Sequence, residues 1–87
     1  MLLIKLGISL IHISKRTQHK PEEIMKEAVE YFTKKVGLKL TDLSACCAYF
    51  EGGGGHVKVS LVTNNGANIE IESREWEYQA KEFLEKL

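Results

Sequence analysis

The sequence has little of what secreted, membrane and fibrous proteins depend on. Its 87 residues include one proline and two cysteines, and its formal net charge is zero. The cysteines, Cys46 and Cys47, are adjacent, so they do not bridge easily to each other and no disulfide framework is available. The opening apolar stretch follows no basic region and is broken by Lys5 and Gly7, which argues against a secretory signal or a membrane span. These absences predict a soluble, cytoplasmic protein with no membrane partner.

What is present is typical of one small globular domain, residues 1–87. A chain of this length buries only about 60–65% of the surface that its unfolded form exposes, so its core is thin and self-association is attractive. The charge is uneven, because residues 1–20 carry four bases and no acid whereas residues 68–87 carry three bases and six acids. An anionic ligand is therefore expected to bind near the amino-terminal part.

The first third of the chain predicts a strand followed by a helix. Apolar residues alternate from Leu2 to Leu10 and continue at Ile11 and Ile13 on the other parity, so the strand either becomes buried on both faces or contains a bulge. Residues 15–20 are polar and basic and predict a loop. Pro21 and Gly37 mark the ends of a helix, whose apolar stripe is Ile24, Met25, Ala28, Val29, Phe32 and Val36.

The remainder predicts three strands and a second helix. Residues 40–50 are apolar or small on both parities, as in a central strand that is covered on both sides. Residues 57–61 and 69–72 alternate and predict a hairpin. We expect a three-residue turn with Gly66 in the left-handed conformation, because it sets Leu61 beside Ile69 and Val59 beside Ile71, leaving Lys58, Ser60, Glu70 and Glu72 on the solvated face.

The last segment predicts a helix that closes the chain. Ser73 is a plausible amino-terminal cap for it. Apolar residues then recur at helical spacing at Trp76, Ala80, Phe83, Leu84 and Leu87.

The order β-α-β-β-β-α predicts an α+β fold, a two-layer sandwich in which an antiparallel meander sheet carries both helices on one face. A right-handed crossover makes the first two strands parallel, and the later strands then alternate. In that arrangement three connections meet at one end of the sheet: residues 15–20, 51–55 and 73–76.

This convergence predicts a binding site for an anion. Helix amino termini and bare glycine amides favour anions, and basic side chains would surround them. The ligand would be the phosphate of RNA or of a nucleotide, and the alternative is a solvated rim that only keeps the domain soluble. The expected ligand-binding residues are Lys15, Arg16, His19, Lys20, Gly53, Gly54, Gly55, His56 and Arg74.

Other chemistry has little support in the sequence. The glycine run 52–55 matches neither the phosphate loop nor the dinucleotide fingerprint, and a flexible hairpin loop explains it more simply. The histidines and cysteines lack zinc-ligand spacing, and adjacent cysteines in a strand would point to opposite faces. No carboxylate pair suggests acid and base catalysis. We therefore expect no metal, no cofactor and no catalytic residue.

From Pro21 to Leu87 the layout resembles the double-stranded RNA-binding domain: a helix, three antiparallel strands and a helix, with His56 in the first hairpin loop. The same order continues with the run 57–61, then Asn65-Gly66, and then the final residues 83–87. The resemblance implies recognition of duplex RNA through its shape and backbone. In place of that family's lysine cluster, residues 73–77 carry one base and two acids. The donors that remain are Arg74, His56 and the loop 15–20.

A second class of function is a protein-interaction module. The first strand is long and apolar, and at a sheet edge its unpaired backbone would invite a second copy of the chain. This alternative predicts a homodimer or higher oligomer formed through the first strand, without affinity for nucleic acid.

Overall fold

A computed structural model describes residues 10–63 and 67–87 of the chain. Five strands and two helices make up this part, and neither helix combines the length and the apolar composition needed to cross a membrane. The elements are β1 (Leu10–Thr17), α1 (Pro21–Glu30) continuing into a π-helical turn (Tyr31–Lys35), β2 (Lys39–Leu43), β3 (Cys47–Gly52), β4 (Gly55–Thr63), β5 (Ala67–Arg74) and α2 (Glu77–Glu85).

The strands form one sheet in the order β1-β5-β4-β3-β2, and every neighbouring pair is antiparallel. It follows that β1 and β2 run in the same direction at opposite edges. Both helices lie on one face of the sheet, the helix-covered face, and their apolar residues share a single core with it. The predicted α+β sandwich, with a meander sheet and two helices on one face, is confirmed.

The segment 40–50 differs from its prediction as one central strand. It folds as a hairpin, in which β2 and β3 are joined by a turn at residues 44–46. The backbone N–H of Ser44 donates to the carbonyl of Cys47 at 2.8 Å and closes this turn. Residues 41–46 are exposed, because β2 is an edge strand rather than a central one.

The hairpin of β4 and β5 has the predicted register. Leu61 pairs with Ile69 and Val59 pairs with Ile71. Lys58 pairs with Glu72 and Ser60 with Glu70, on the face of the sheet that no helix covers, called here the open face. The predicted conformation of Gly66 lies outside the described residues.

The core joins α1, the sheet and α2 through aromatic contacts. Phe32 is fully buried, and its ring centroid lies 5.2 Å from that of Phe50 in β3 and 5.4 Å from that of Phe83 in α2. The helix ends as predicted at Gly37, whose φ of 94° suits glycine. The buried apolar residues are Ile24, Met25, Ala28, Phe32, Leu38, Ala48, Phe50, Val57, Val59, Ala67, Ile69, Ile71, Ala80, Phe83 and Leu84.

β1 extends further along the chain than predicted. Its odd-numbered residues turn toward the core side, from the half-buried Ile11 to the buried Thr17. Lys15 and Arg16, predicted as loop residues, therefore lie in the strand and on opposite faces of the sheet. The predicted alternation before Leu10 lies outside the described residues.

Ser73 is not the cap of the last helix. It lies in β5, fully buried opposite Val57, and its hydroxyl has no hydrogen-bond partner within the described part of the chain. The chain leaves β5 through Glu75, whose φ is 75°, and Trp76 takes the cap position of α2. The signal misled because serine is also tolerated in strands.

Candidate functional site

The three connections that were expected to meet lie at two opposite ends of the sheet. Thr17 pairs with Ala67 at one end, whereas Leu10 pairs with Arg74 at the other. His56 also pairs with Arg74, so the glycine run belongs to that second end. Each strand residue advances about 3.3 Å, and β1 therefore separates the two ends by about 23 Å.

The extra strand in segment 40–50 explains the error. One additional strand reverses the direction of every strand after it, so β3 and β5 both end away from the end of β1. The predicted convergence is wrong, and the predicted residues form two groups. The basic end holds Arg16, His19 and Lys20, and the glycine end holds Gly53, Gly54, Gly55, His56 and Arg74.

The basic end borders an open cleft of about 740 Å³ between the β1–α1 connection, the end of β4 and the start of β5. Three basic side chains line it, and no acidic residue does so among the described residues. The described lining is therefore basic. The lining residues are Arg16, Thr17, Gln18, His19, Lys20, Pro21, Thr63 and Ala67.

The loop at the basic end has a defined conformation. The backbone N–H of His19 donates to Oγ1 of Thr17 at 3.1 Å, and the carbonyl of Lys20 accepts from Ile24 at 3.0 Å in the first turn of α1. Glu22 and Glu23 follow directly in that turn and complement the helix dipole. The attraction for an anion at this end therefore comes from the side chains rather than from the helix.

Lys15 does not line this cleft, although it lines a second one of about 400 Å³ with Arg16 and His19. It projects toward the helix-covered face, where Nζ donates to the carbonyl of Leu84 in the last turn of α2 at 2.8 Å. A cation at a helix carboxyl terminus is favourable for the helix dipole. This predicted ligand donor therefore connects β1 to α2.

The glycine end is a tight turn rather than the flexible loop that the sequence suggested. Gly53 and Gly54 both have positive φ, 59° and 83°, between the paired residues Gly52 and Gly55. This is the geometry of a two-residue hairpin turn that glycine favours. A β carbon on Gly53 would lie 2.7 Å from the ring of Trp76.

Two further contacts fill the glycine end. The indole N–H of Trp76 donates to the carbonyl of Gly52 at 2.9 Å. A β carbon on Gly55 would lie 2.0 Å from the carbonyl oxygen of Arg74, so that position admits only glycine. The glycines are thus explained by close approach and turn geometry.

His56 already has an anionic partner on the open face. Its Nε2 lies 3.0 Å from one carboxylate oxygen of Glu72, and Nε2 of His12 lies 3.6 Å from the other. The hydrogen bond with His56, with a smaller contribution from His12, holds the pKa of Glu72 below its usual value. A carboxylate at this place repels a second anion, which weakens the case for His56 as a ligand donor. The side-chain contacts of Glu72 with His12 and His56, which join three strands, had no signal in the sequence.

A cleft of about 420 Å³ between α1 and α2 was also missed by the sequence reasoning. The hydroxyl of Tyr31 donates to Glu82 at 2.6 Å, and burial and this carboxylate raise the pKa of Tyr31. The Nζ atoms of Lys35 and Lys86 lie 5.9 and 6.0 Å from the Tyr31 ring centroid. Glu27 and Glu30 also line this cleft, so both signs of charge are present.

The described residues contain no cluster of three or more His, Cys, Asp or Glu side chains arranged to hold a metal ion. The adjacent cysteines do not point to opposite faces as expected. Cys46 lies in the turn before β3, and its Sγ is 2.7 Å from that of Cys47.

Comparison of this chain with protein-family models, with curated proteins and with solved structures finds no match.

Proposed function

We propose that the protein is a small binding module for an anionic ligand, the phosphate of RNA or of a nucleotide, held in the cleft at the basic end. Arg16, His19 and Lys20 are the proposed donors. The observation that carries the proposal is the lining of this cleft, where three basic side chains occur without an acid among the described residues. No described side chain of the lining would repel the negative charge of a phosphate.

The length of the ligand decides whether the glycine end takes part. A nucleotide in the cleft cannot reach Arg74, because the two ends are about 23 Å apart. A short RNA duplex laid along β1 can contact both ends through its phosphates, as the resemblance to the double-stranded RNA-binding domain would imply. Arg74 and His56 are thus proposed as contacts for a duplex only.

The test is an amide NMR titration with a nucleoside triphosphate and, separately, with a short RNA duplex, at low and moderate salt. We expect shifts at residues 16–20 with either ligand. Binding should weaken at higher salt because it relies on phosphate contacts, and only modestly because these contacts are few. Lys20→Glu should weaken nucleotide binding about tenfold or more, since it reverses the charge beside the phosphate.

A matched control is Lys39→Glu, which makes the same charge change at an exposed position of β2 beside Glu51 at the glycine end. It should leave nucleotide affinity within about twofold of the wild type, because the site is far beyond the screening length of about 10 Å. Equal losses in both variants would mean that only net charge matters. The absence of shifts at residues 16–20 would remove the proposed site.

A second candidate is self-association, and the position of β1 favours it. Among residues 10–63 and 67–87, β1 is an edge strand that pairs only with β5, and no described strand lies along its other side, where a second copy of the chain could pair. Leu10 on this strand is 42% exposed. Pairing of two β1 strands would form a continuous sheet across a homodimer, and higher oligomers would need a further contact.

The light-scattering mass distinguishes this candidate. We expect a dimer that dissociates in Ser14→Lys, because two lysines would meet across the paired edge strands. Ser60→Lys is the matched control, since Ser60 and Ser14 lie in the same row of the open face but β4 is central. A monomeric wild-type protein at high concentration would contradict the dimer.

A further inference from the structure

The turn between β2 and β3 presents two thiols in contact at the surface. The backbone N–H of Cys47 donates to Oγ of Ser44 at 3.2 Å, and the carbonyl of Cys46 accepts from the N–H of Leu61 in β4 at 2.8 Å. Both bonds hold the peptide group that joins Cys46 to Cys47. The two Sγ atoms lie in direct contact.

The two thiols have different environments. Cys46 is exposed, whereas Cys47 is half-buried as the first residue of β3. Hydrogen bonding with the Cys47 thiol, and then with the Ser44 hydroxyl, lowers the pKa of Cys46. The same contact with Cys46, together with burial, raises the pKa of Cys47. Because the thiolate is the nucleophile in disulfide exchange, Cys46 is the more reactive of the two.

We propose that Cys46 and Cys47 form a thiol–disulfide exchange site whose substrate is a low-molecular-weight disulfide such as glutathione disulfide. The Cys46 thiolate attacks one sulfur of the substrate, a mixed disulfide forms, and the other half leaves as a thiolate. Cys47 then loses its proton and attacks Sγ of Cys46, which releases the second half as a thiolate. The two protein thiols lose two electrons, and the substrate disulfide gains them.

The product of this reaction is a disulfide between neighbouring cysteines, and the strain in that bond makes the reaction reversible. Adjacent Cα atoms are about 3.8 Å apart across a trans peptide, whereas the Cα atoms of ordinary disulfides are about 4.4–6.8 Å apart. A bond between neighbouring cysteines is therefore strained and is reduced more readily than an ordinary structural disulfide. Excess reduced thiol should return the pair to the dithiol form.

The intact mass of the full chain tests the proposal directly, because the sequence contains no other cysteine. The reduced protein is exposed to glutathione disulfide and sampled over time. We expect the wild type to lose two hydrogen atoms after passing through a glutathione adduct. Cys47→Ser should stop at the adduct, since the second attack is missing. Cys46→Ser should form its adduct about tenfold more slowly, because its remaining thiol is half-buried and more protonated.

Ser44→Ala tests the reactivity of Cys46, because it removes the hydroxyl that contacts Cys46 Sγ and accepts from the Cys47 N–H, while it keeps both thiols. It should slow adduct formation in the Cys47→Ser background, while circular dichroism checks that the fold is retained. Equal rates for the two cysteine variants would overturn the assigned roles. A wild type that stops at the adduct, or that does not react, would overturn the exchange site itself.

Discussion

At the glycine end the turn between β3 and β4 packs so closely that a methyl group on Gly53 or Gly55 would overlap Trp76 or Arg74. At the basic end the loop from β1 to α1 borders an open cleft of about 740 Å³. The two loops were expected to meet in one anion site, on the grounds of their bases, glycines and helix starts. The contrast teaches that residue type alone does not define a site. At the glycine end the turn packs against Trp76 and Arg74, and His56 already contacts Glu72.

The largest expected effect is that of Gly55→Ala. Its new methyl group would meet the backbone of Arg74, so we expect a loss of about 3 kcal/mol or more in the free energy of unfolding, measured by urea denaturation. Gly54→Ala, at a positive φ in open space, should cost about 1–2 kcal/mol. At the basic end, Gln18→Ala should stay within about 0.5 kcal/mol. Equal losses at positions 55 and 18 would remove the distinction between the two ends.

Trp76→Phe should have the next largest effect. The substitution removes the indole N–H that the carbonyl of Gly52 accepts, and we expect a destabilisation of about 1–2 kcal/mol. Chemical unfolding followed by circular dichroism measures it, since Trp76 is the only tryptophan. Tyr78→Phe in the same helix is the control, because Tyr78 is 72% exposed and its change should be near zero. A null result for Trp76→Phe would show that the hydrogen bond contributes nothing to stability.

Lys15→Met and Lys20→Met should have opposite consequences. Loss of the bond from Lys15 to the carbonyl of Leu84 should reduce stability by about 1 kcal/mol and leave nucleotide affinity unchanged. Loss of Lys20 should leave stability unchanged and weaken the nucleotide. Urea denaturation and NMR titration of the same two samples provide the comparison. If Lys15→Met weakened binding as much as Lys20→Met, the assignment of Lys15 to a structural role would be wrong.

The smallest effect concerns acid stability at Glu72. The folded protein holds the pKa of Glu72 below its unfolded value, so this carboxylate stabilises the fold above the unfolded pKa of about 4.3. That contribution is lost as the pH falls through the folded pKa. Glu72→Gln should therefore be less stable than the wild type near neutral pH and equal to it in strong acid, measured by denaturation across pH. Glu70→Gln is the control, because Glu70 lies two residues earlier in β5 opposite Ser14 and Ser60, and it should be about as stable as the wild type near neutral pH.

The sequence was sufficient wherever one apolar face sets the structure. The stripe of α1 and the alternation of β4 and β5 predicted the helix and a register that placed Leu61 beside Ile69. A one-residue slip would have put charges into the core, so the pattern admits a single pairing.

The candidate site was only partly predictable. The turn at residues 44–46 reads Ser-Ala-Cys, without the glycine, proline or asparagine that usually mark a turn. Without this turn the sequence predicts one strand too few. Residues 51–55 and 73–76 are then placed at the wrong end of the sheet. The contacts of Glu72 with His12 and His56 depend on strand order, which no local pattern contains.

The pairing of β1 with β5 also constrains how the chain folds during synthesis. β3, β4 and β5 are joined by short turns, so their pairings close small loops and we expect them to form early. β1 is synthesised before the other described strands, but β5, its partner among the described strands, is the last of them to be made. Until residues 67–74 are available this pairing cannot form, and during that interval a chaperone or a neighbouring nascent chain would compete for β1.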